Sequence, residues 1–284
     1  DAQGLKDWIR EKQVKRVAVA GGGFIGLEIA ENLQGLGLQV TVADLAPQIL
    51  PNVFDREMAD YVKKHLQKKG MSILTGTGIQ AVLGTDRAEG ILTDSGRIQA
   101  DAVVMSVGIR PNTGFLKDSG IDMFKGTILV DNQMRTNLPD VYAAGDCVMV
   151  KNRITDRRQW SAMGSSANYE GRTLAQVLAG QSKSYPGVLG TGVVKLPELN
   201  CGRTGLTEVQ AKEQGYDVET VLAVTDDKAH YYPDASSFAI KMIGDKKTHK
   251  LLGVQVLGSG AVDKITDIAA VSIGMGATLE DLEN

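Results

Sequence analysis

One segment constrains this chain more than any other: Gly21-Gly22-Gly23-Phe24-Ile25-Gly26, set between an apolar run and a helical repeat. Val17-Ala18-Val19-Ala20 reads as a buried parallel strand that stops at the glycines. Ile25, Ile29, Leu33 and Leu36 then recur at helical spacing until Gly37. Strand, GxGxxG turn and helix in that order form a dinucleotide-binding fingerprint. Gly21 permits the tight turn, Gly23 lets the backbone approach a pyrophosphate, and Gly26 lets helix and strand pack closely. Gly22 and Ile25 complete the turn and are counted with it as candidate contacts. The pyrophosphate then faces free N–H groups at the positive end of the helix. Asp44 closes the next strand, Val40–Ala43, 23 positions after Gly21. Its carboxylate suits the ribose hydroxyls and repels a 2′-phosphate, and Leu45-Ala46 adds no cation. NADH is therefore favoured over NADPH.

The fold class is α/β. A helix over 5–13 leads into the first strand. Phe54, Met58, Tyr61, Val62 and Leu66 form one face of a helix beginning near Asp55 and closed by Gly70. A third strand spans 72–74. Short antiparallel strands follow at 79–83, 90–93 and 97–99, with Asp94-Ser95-Gly96 as a turn. Val103–Val107 then returns as a buried strand ending at Gly108. This makes a Rossmann-type domain with an antiparallel insertion over 1–112. Residues 113–188 carry a strand at 128–130, a strand Val141–Asp146 running into a Gly-Asp turn, and a helix over 164–179. Residues 189–284 read as an α+β domain, with strands at 193–195, 218–224, 236–243 and 251–257 and helices at 207–214 and 261–275.

Composition excludes several classes. The chain has 284 residues and a net charge of −3, which does not invite nucleic acid. No apolar run is long enough for a membrane span and no secretory signal is visible. Two cysteines, Cys147 and Cys201, form no CxxC pair, and a cytoplasmic setting follows. Each reads as a small buried hydrophobe. His65, His230 and His249 lack metal-ligand spacing, so no metal is expected. His65 is placed near a helix surface, and His230, before Tyr231-Tyr232, in packing. Lys246, Lys247, His249 and Lys250 read as a solvated hairpin tip.

Longer stretches carry a family resemblance. Val17–Glu31, Gly108-Ile109-Arg110-Pro111-Asn112 and Thr136–Cys147 resemble the pyridine nucleotide-disulfide oxidoreductases. Ala229-His230-Tyr231-Tyr232-Pro233 and Gly258–Lys264 are similar to its branch of coenzyme A disulfide reductases, NADH oxidases and polysulfide or persulfide reductases. The resemblance implies FAD beside NADH, and a homodimer formed through the C-terminal domain. Phe24 matches a gating aromatic that lies over the flavin until the nicotinamide displaces it. Glu28 matches an acidic residue near the nicotinamide and flavin, and these two are the catalytic candidates. Gly108 matches a glycine at the nicotinamide end. Gly145 and Asp146 match a turn whose carboxylate bonds the flavin's ribityl chain. The implied activity passes a hydride from NADH to FAD and on to a small-molecule disulfide, coenzyme A disulfide, per- or polysulfide, or oxygen.

The family begins with a separate FAD-binding segment carrying its own GxGxxG and a redox cysteine, and its interface domain runs past Asn284. The expectation is a fragment lacking both ends: the NAD-binding domain over 1–112, the returning part of the FAD-binding domain over 113–188, and a truncated interface domain over 189–284. Two alternatives stay open: an NADH-binding, dimerising fragment with no turnover, or a ferredoxin-reductase-like flavoprotein. The Tyr-Tyr-Pro and Gly-Ala-Val-Asp-Lys stretches argue against the latter.

Overall fold

The computed structural model describes residues 2–283. Helix α1 (Ala2–Glu11) leads to β1 (Arg16–Ala20), α2 (Phe24–Gly35), β2 (Gln39–Asp44), α3 (Arg56–Lys68) and β3 (Ser72–Thr75). An antiparallel sheet of β4 (Ile79–Leu83), β5 (Gly90–Thr93) and β6 (Gly96–Gln99) is inserted before β7 (Ala102–Met105). The parallel sheet has the order β3-β2-β1-β7. Val17 and Val19 of β1, buried at its centre, pack with Leu27, Ala30 and Leu33 of α2 and Met58, Val62 and Leu66 of α3. The Rossmann-type unit with its insertion is as the sequence pattern requires.

The middle of the chain forms a second sheet of order β11-β10-β9-β8. Its strands are β8 (Met123–Phe124), β9 (Thr127–Leu129), β10 (Val148–Lys151) and β11 (Arg158–Trp160), followed by α4 (Gly164–Leu178). The last part is a five-stranded antiparallel sheet, β12-β13-β16-β15-β14. These strands are β12 (Gly192–Leu196), β13 (Leu199–Gly205), β14 (Val218–Asp226), β15 (Ser237–Asp245) and β16 (Leu251–Gly258). A capping box between Thr207 and Gln210 starts α5 (Glu208–Glu213), and α6 (Val262–Met275) packs on β13 and β16.

Several expectations are corrected. Val141–Asp146 is not a strand: it makes only an isolated bridge, Arg135 to Tyr142, before the chain turns at Gly145. The strand expected over Val103–Val107 ends at Met105: the Ser106 N–H makes the last bond, to the Ala20 carbonyl, where β1 itself ends at the glycine turn, and beyond it Val107 is exposed. Tyr61 is 51% exposed and lies off the buried face of α3, while Phe54 is buried but precedes that helix. The first helix ends at Glu11 rather than 13, where Gln13 adopts a positive φ of 50°. β8, β10, β11 and β13 have no counterpart among the strands expected from the sequence.

One hydrophobic core crosses from the Rossmann unit into the C-terminal sheet. Ile49, Leu50, Phe54 and Met58 share it with Val194, Leu196, Leu199, Cys201, Ala239 and Leu257. The contact is made by α2 against β12 and by α3 against β16. Within the C-terminal sheet, Gly202 is needed because α6 lies so close. A Cβ there would fall 2.2 Å from Thr266 Oγ1 and 2.8 Å from Val262 Cγ1. Gly202→Ala should therefore destabilise the protein by about 1–3 kcal/mol, read as a lower urea midpoint with an unchanged slope.

Candidate functional site

The glycine turn is built as tightly as its spacing requires. Gly21 has φ +103° and would carry a Cβ only 2.2 Å from the Ser106 carbonyl oxygen. A Cβ at Gly26 would meet the Gly21 carbonyl oxygen at 2.0 Å. The end of β1, the start of α2 and the chain leaving β7 thus converge without side chains between them. A Cβ at Gly23 would meet nothing within 4 Å, so the turn is open on that side. Gly23 is also the N-cap of α2 and, being a glycine, has no side chain with which to cap the helix. Such an open, uncapped helix start offers N–H groups to an anion.

Asp44 ends β2 beside this turn. Its Oδ2 accepts the Gly22 N–H at 2.6 Å and its Oδ1 accepts the Ala46 N–H at 2.7 Å. The turn and the carboxylate are therefore one unit, and the half-buried side chain is held in one orientation. Leu50 donates its N–H to the Gly22 carbonyl at 2.9 Å, tying the following loop to the same turn. Leu45 beside Asp44 is exposed. Ile25 is exposed on α2, and Glu28, one turn further, is also exposed. Gly108 stands beyond β7 with φ +100°, exposed between Val107 and Ile109.

Phe24 heads α2 and is half-buried, packed against the shared core. Its ring edge and the Met163 methyl both face Gly192, where a Cβ would lie 3.5 Å from Phe24 Cε2 and 3.8 Å from Met163 Cε. Met163 is the N-cap of α4, so the heads of α2 and α4 meet across the start of β12. A cavity of about 500 Å³ opens beside this point, lined in part by Met163, Ser161, Ser165, Ser166, Tyr169 and Tyr185.

The Gly145–Asp146 turn lies in the same part of the chain. Gly145 has φ +94° and Asp146 is exposed. Beneath it sits Glu170 of α4, only 1% exposed, whose Oε2 accepts the Gly145 N–H at 2.8 Å. Trp160 donates its indole N–H to the Asp146 carbonyl at 2.7 Å. Sequence reasoning missed Glu170, because a glutamate within a helix carries no mark of burial. The signal available was its i, i+3 relation to Thr173 and i, i+7 relation to Val177, the other buried positions of α4. Burial pushes the Glu170 carboxyl up from its ordinary value, the Gly145 N–H opposes this, and the nearby Asp146 adds to it.

The remaining singled-out residues lie apart from these turns. Cys201 is fully buried on β13, and burial pushes its thiol up to about 12. Cys147 is half-buried, with Sγ 3.6 Å from the Ala144 carbonyl. His65 is half-buried rather than at the surface, with Nε2 2.6 Å from the Pro197 carbonyl across the domain contact. His230 is exposed against the edge of Tyr231 and is not packed in a core, which corrects the expectation for it. Lys246, Lys247, His249 and Lys250 form the exposed tip between β15 and β16, where His249 pairs with Glu280.

The chain belongs to the pyridine nucleotide-disulphide oxidoreductase family. The family model matches residues 1–181, and the model of the family's dimerisation domain matches 192–284. The NAD(P)H coenzyme A polysulfide/persulfide reductase of Pyrococcus horikoshii is 35% identical over 99% of this chain and 63% of its own length. The structure of an NAD-dependent persulfide reductase from A. fulgidus superposes with a TM-score of 0.95 at 34% identity, over 99% of this chain and 53% of that one. A water-forming NADH oxidase from Lactobacillus brevis, bound to NADH, gives 0.91 at 27% identity over 98% of this chain and 62% of that one. Its engineered NADPH-bound form gives 0.91 at 26%, over 97% and 62%. The chain thus spans less than two thirds of the length of these relatives.

Glu170 gives the site a pH signature. Because folding raises its pKa, stability is greatest where both folded and unfolded states are protonated, below the ordinary value of 4.5. It falls as pH rises from there through the raised value, then levels off. Glu170→Gln keeps an oxygen for the Gly145 N–H and removes the titration. Across this range the urea midpoint of the wild type should fall relative to that of the variant as pH rises, because the lowered carboxylates elsewhere are common to both. Parallel slopes would contradict the burial argument.

Proposed function

We propose that this chain supplies the nucleotide-binding, flavin-facing and interface parts of a flavin-dependent NADH oxidoreductase. The reaction passes a hydride from NADH to FAD and on to a disulfide, coenzyme A disulfide, per- or polysulfide, or oxygen. The reading rests above all on the open Gly21–Gly26 turn with Asp44 hydrogen-bonded to it, and on Phe24 meeting Met163 at Gly192.

The chain's own residues divide the work. Gly21, Gly22, Gly23, Ile25 and Gly26 would hold the pyrophosphate against the N–H groups of α2. Asp44, with each oxygen already accepting a backbone N–H, has lone pairs left for the ribose hydroxyls. Gly108, flanked by exposed apolar residues, would meet the nicotinamide end. Phe24 would cover the flavin face and yield it to the nicotinamide, with the exposed Glu28 one turn along the same helix. Gly145 and Asp146 would hold the ribityl chain, with Glu170 fixing their turn. The residues fit the group: Gly145 has the positive φ of a close backbone approach, Asp146 is exposed, and a cavity adjoins Met163. FAD, when bound, supplies the two-electron relay between nucleotide and acceptor.

NADH rather than NADPH is favoured by a spacing. The substitutions that distinguish the NADPH-bound relative include a Gly, an Asp 18 residues later and a Pro 7 beyond that. Gly26, Asp44 and Pro51 stand at the same spacing here. In that relative the Asp becomes Ala and the next residue Arg, whereas this chain keeps Asp44 and an apolar Leu45. Asp44→Ala should weaken NADH by roughly 10- to 100-fold in a fluorescence titration and narrow the gap to NADPH. Unchanged affinities for both would refute the assignment. Anaerobic turnover with coenzyme A disulfide and with polysulfide, beside oxygen consumption, separates the acceptors.

The homodimer is supported by apolar surface on the C-terminal domain. Val221, Leu222 and Val224 on the edge strand β14 are exposed, as are Ile268, Val271 and Met275 on α6. Sedimentation should give a dimer, and Val224→Asp together with Val271→Asp should shift it toward monomer. A wild-type monomer would count against this interface.

A further inference from the structure

Lys241 lies on β15 and is 1% exposed. Its ammonium is 2.7 Å from Glu208, 3.1 Å from Asp55, and also pairs with Glu57. Burial lowers its pKa, but hydrogen bonds with Glu208, Glu57 and Asp55 outweigh that and leave it raised. Asp55 and Glu57 belong to the Rossmann unit, and Lys241 and Glu208 to the C-terminal domain. The cluster therefore bridges the two parts of the chain beside their shared apolar core, and it is the buried ionic part of a contact that also has the half-exposed His65–Pro197 and Lys69–Glu198 pairs at its edge.

Asp55 carries the informative detail. It is the N-cap of α3, yet among the described residues its side chain makes no bond to its own helix. A local cap of that kind contributes about 1 kcal/mol, and here it is forgone. Instead the carboxylate accepts the side-chain N–H of Gln255 at 2.6 Å and the backbone N–H of Glu208 at 3.0 Å. The Asp55 N–H is donated to Gln255 Oε1 at 2.9 Å, closing a reciprocal pair. Asp55's charge also acts on buried Arg203, whose pKa burial lowers to about 10. The loop from Asp44 to Asp55 is thus tied to the glycine turn through Asp44 and Leu50 and to the C-terminal sheet through Asp55.

Ionic hydrogen bonds are directional where apolar contacts are not, so the reciprocal Asp55–Gln255 and Asp55–Glu208 bonds add a defined register to the apolar contact. We propose that Lys241 and Asp55 are positioning residues that fix the docking of the Rossmann unit on the C-terminal sheet, and so fix the nicotinamide relative to the flavin. The idea rests on the functional reading above. Neither residue is among those assigned above to the nucleotide or the flavin.

The test compares Lys241→Met, and the charge-neutralised double variant Lys241→Met with Asp55→Asn, with wild type in the flavin-loaded full-length protein. NADH affinity should stay within about twofold, because the glycine turn is untouched. Flavin reduction in anaerobic stopped-flow should slow by roughly 10- to 100-fold in both variants, as expected for a small misplacement. Amide exchange at Glu208 and Val209 should accelerate. The double variant removes the buried Lys241–Asp55 pair together and should be more stable to heat than Lys241→Met alone, without recovering the rate. If reduction rate follows thermal stability across the variants, the cluster is structural only and the proposal fails. A wild-type flavin that NADH reduces, with an unchanged Lys241→Met rate, overturns the positioning role alone. A wild-type flavin that NADH does not reduce overturns the functional reading and the positioning role with it.

Discussion

The contact between Gly26 and the Gly21 carbonyl is the constraint on which the rest depends. A single added carbon at Gly26 would stand 2.0 Å from that oxygen. Helix α2 can therefore start directly over the end of β1, which aims its N–H groups across the open face at Gly23. The same closeness puts Phe24 at the head of the helix and carries it to Gly192 and Met163. Gly21's own lack of a side chain admits Ser106, so the chain leaving β7 passes the turn on its way to Gly108. Strand, turn and helix are local features of the sequence. The meeting of α2 with β12 and α4 is not.

That difference explains what could be read beforehand. The Rossmann unit was legible because each element has its own period and its own stop signal: Val17–Ala20 before the glycines, Gly37 after α2, Gly70 after α3. Asp44 was legible from its position after β2, but its hydrogen bonds to Gly22 and Ala46 were not. β13 was missed because Gly202 and Gly205 interrupt its apolar pattern, and these glycines are there for α6 and for the Leu252 backbone. Val141–Ala144 looks like a strand by composition, yet among the described residues it pairs only with the short turn Met134–Thr136, as an isolated bridge. Glu170, His65 and Lys241 became visible only when elements distant in sequence were brought together.

The domain contact combines two kinds of interaction with different consequences. The shared core of aliphatic side chains contributes most of the cohesion through burial of apolar surface. The Lys241 cluster adds little net free energy, since desolvating its ions offsets much of their attraction. What it adds is direction, because Asp55, Gln255 and Glu208 fit together in one arrangement. A nucleotide turn and a flavin turn on different parts of a chain have to be held at a fixed separation for hydride transfer. An apolar contact with a polar register meets that requirement.

The central claim is that the glycine turn and the Gly145–Asp146 turn serve one redox path. The most direct measurement is the visible spectrum of the flavin-loaded protein under anaerobic conditions, before and after NADH. Bleaching of the flavin band by NADH, much faster than by NADPH, is the predicted result. A bound flavin whose spectrum NADH leaves unchanged would contradict the account.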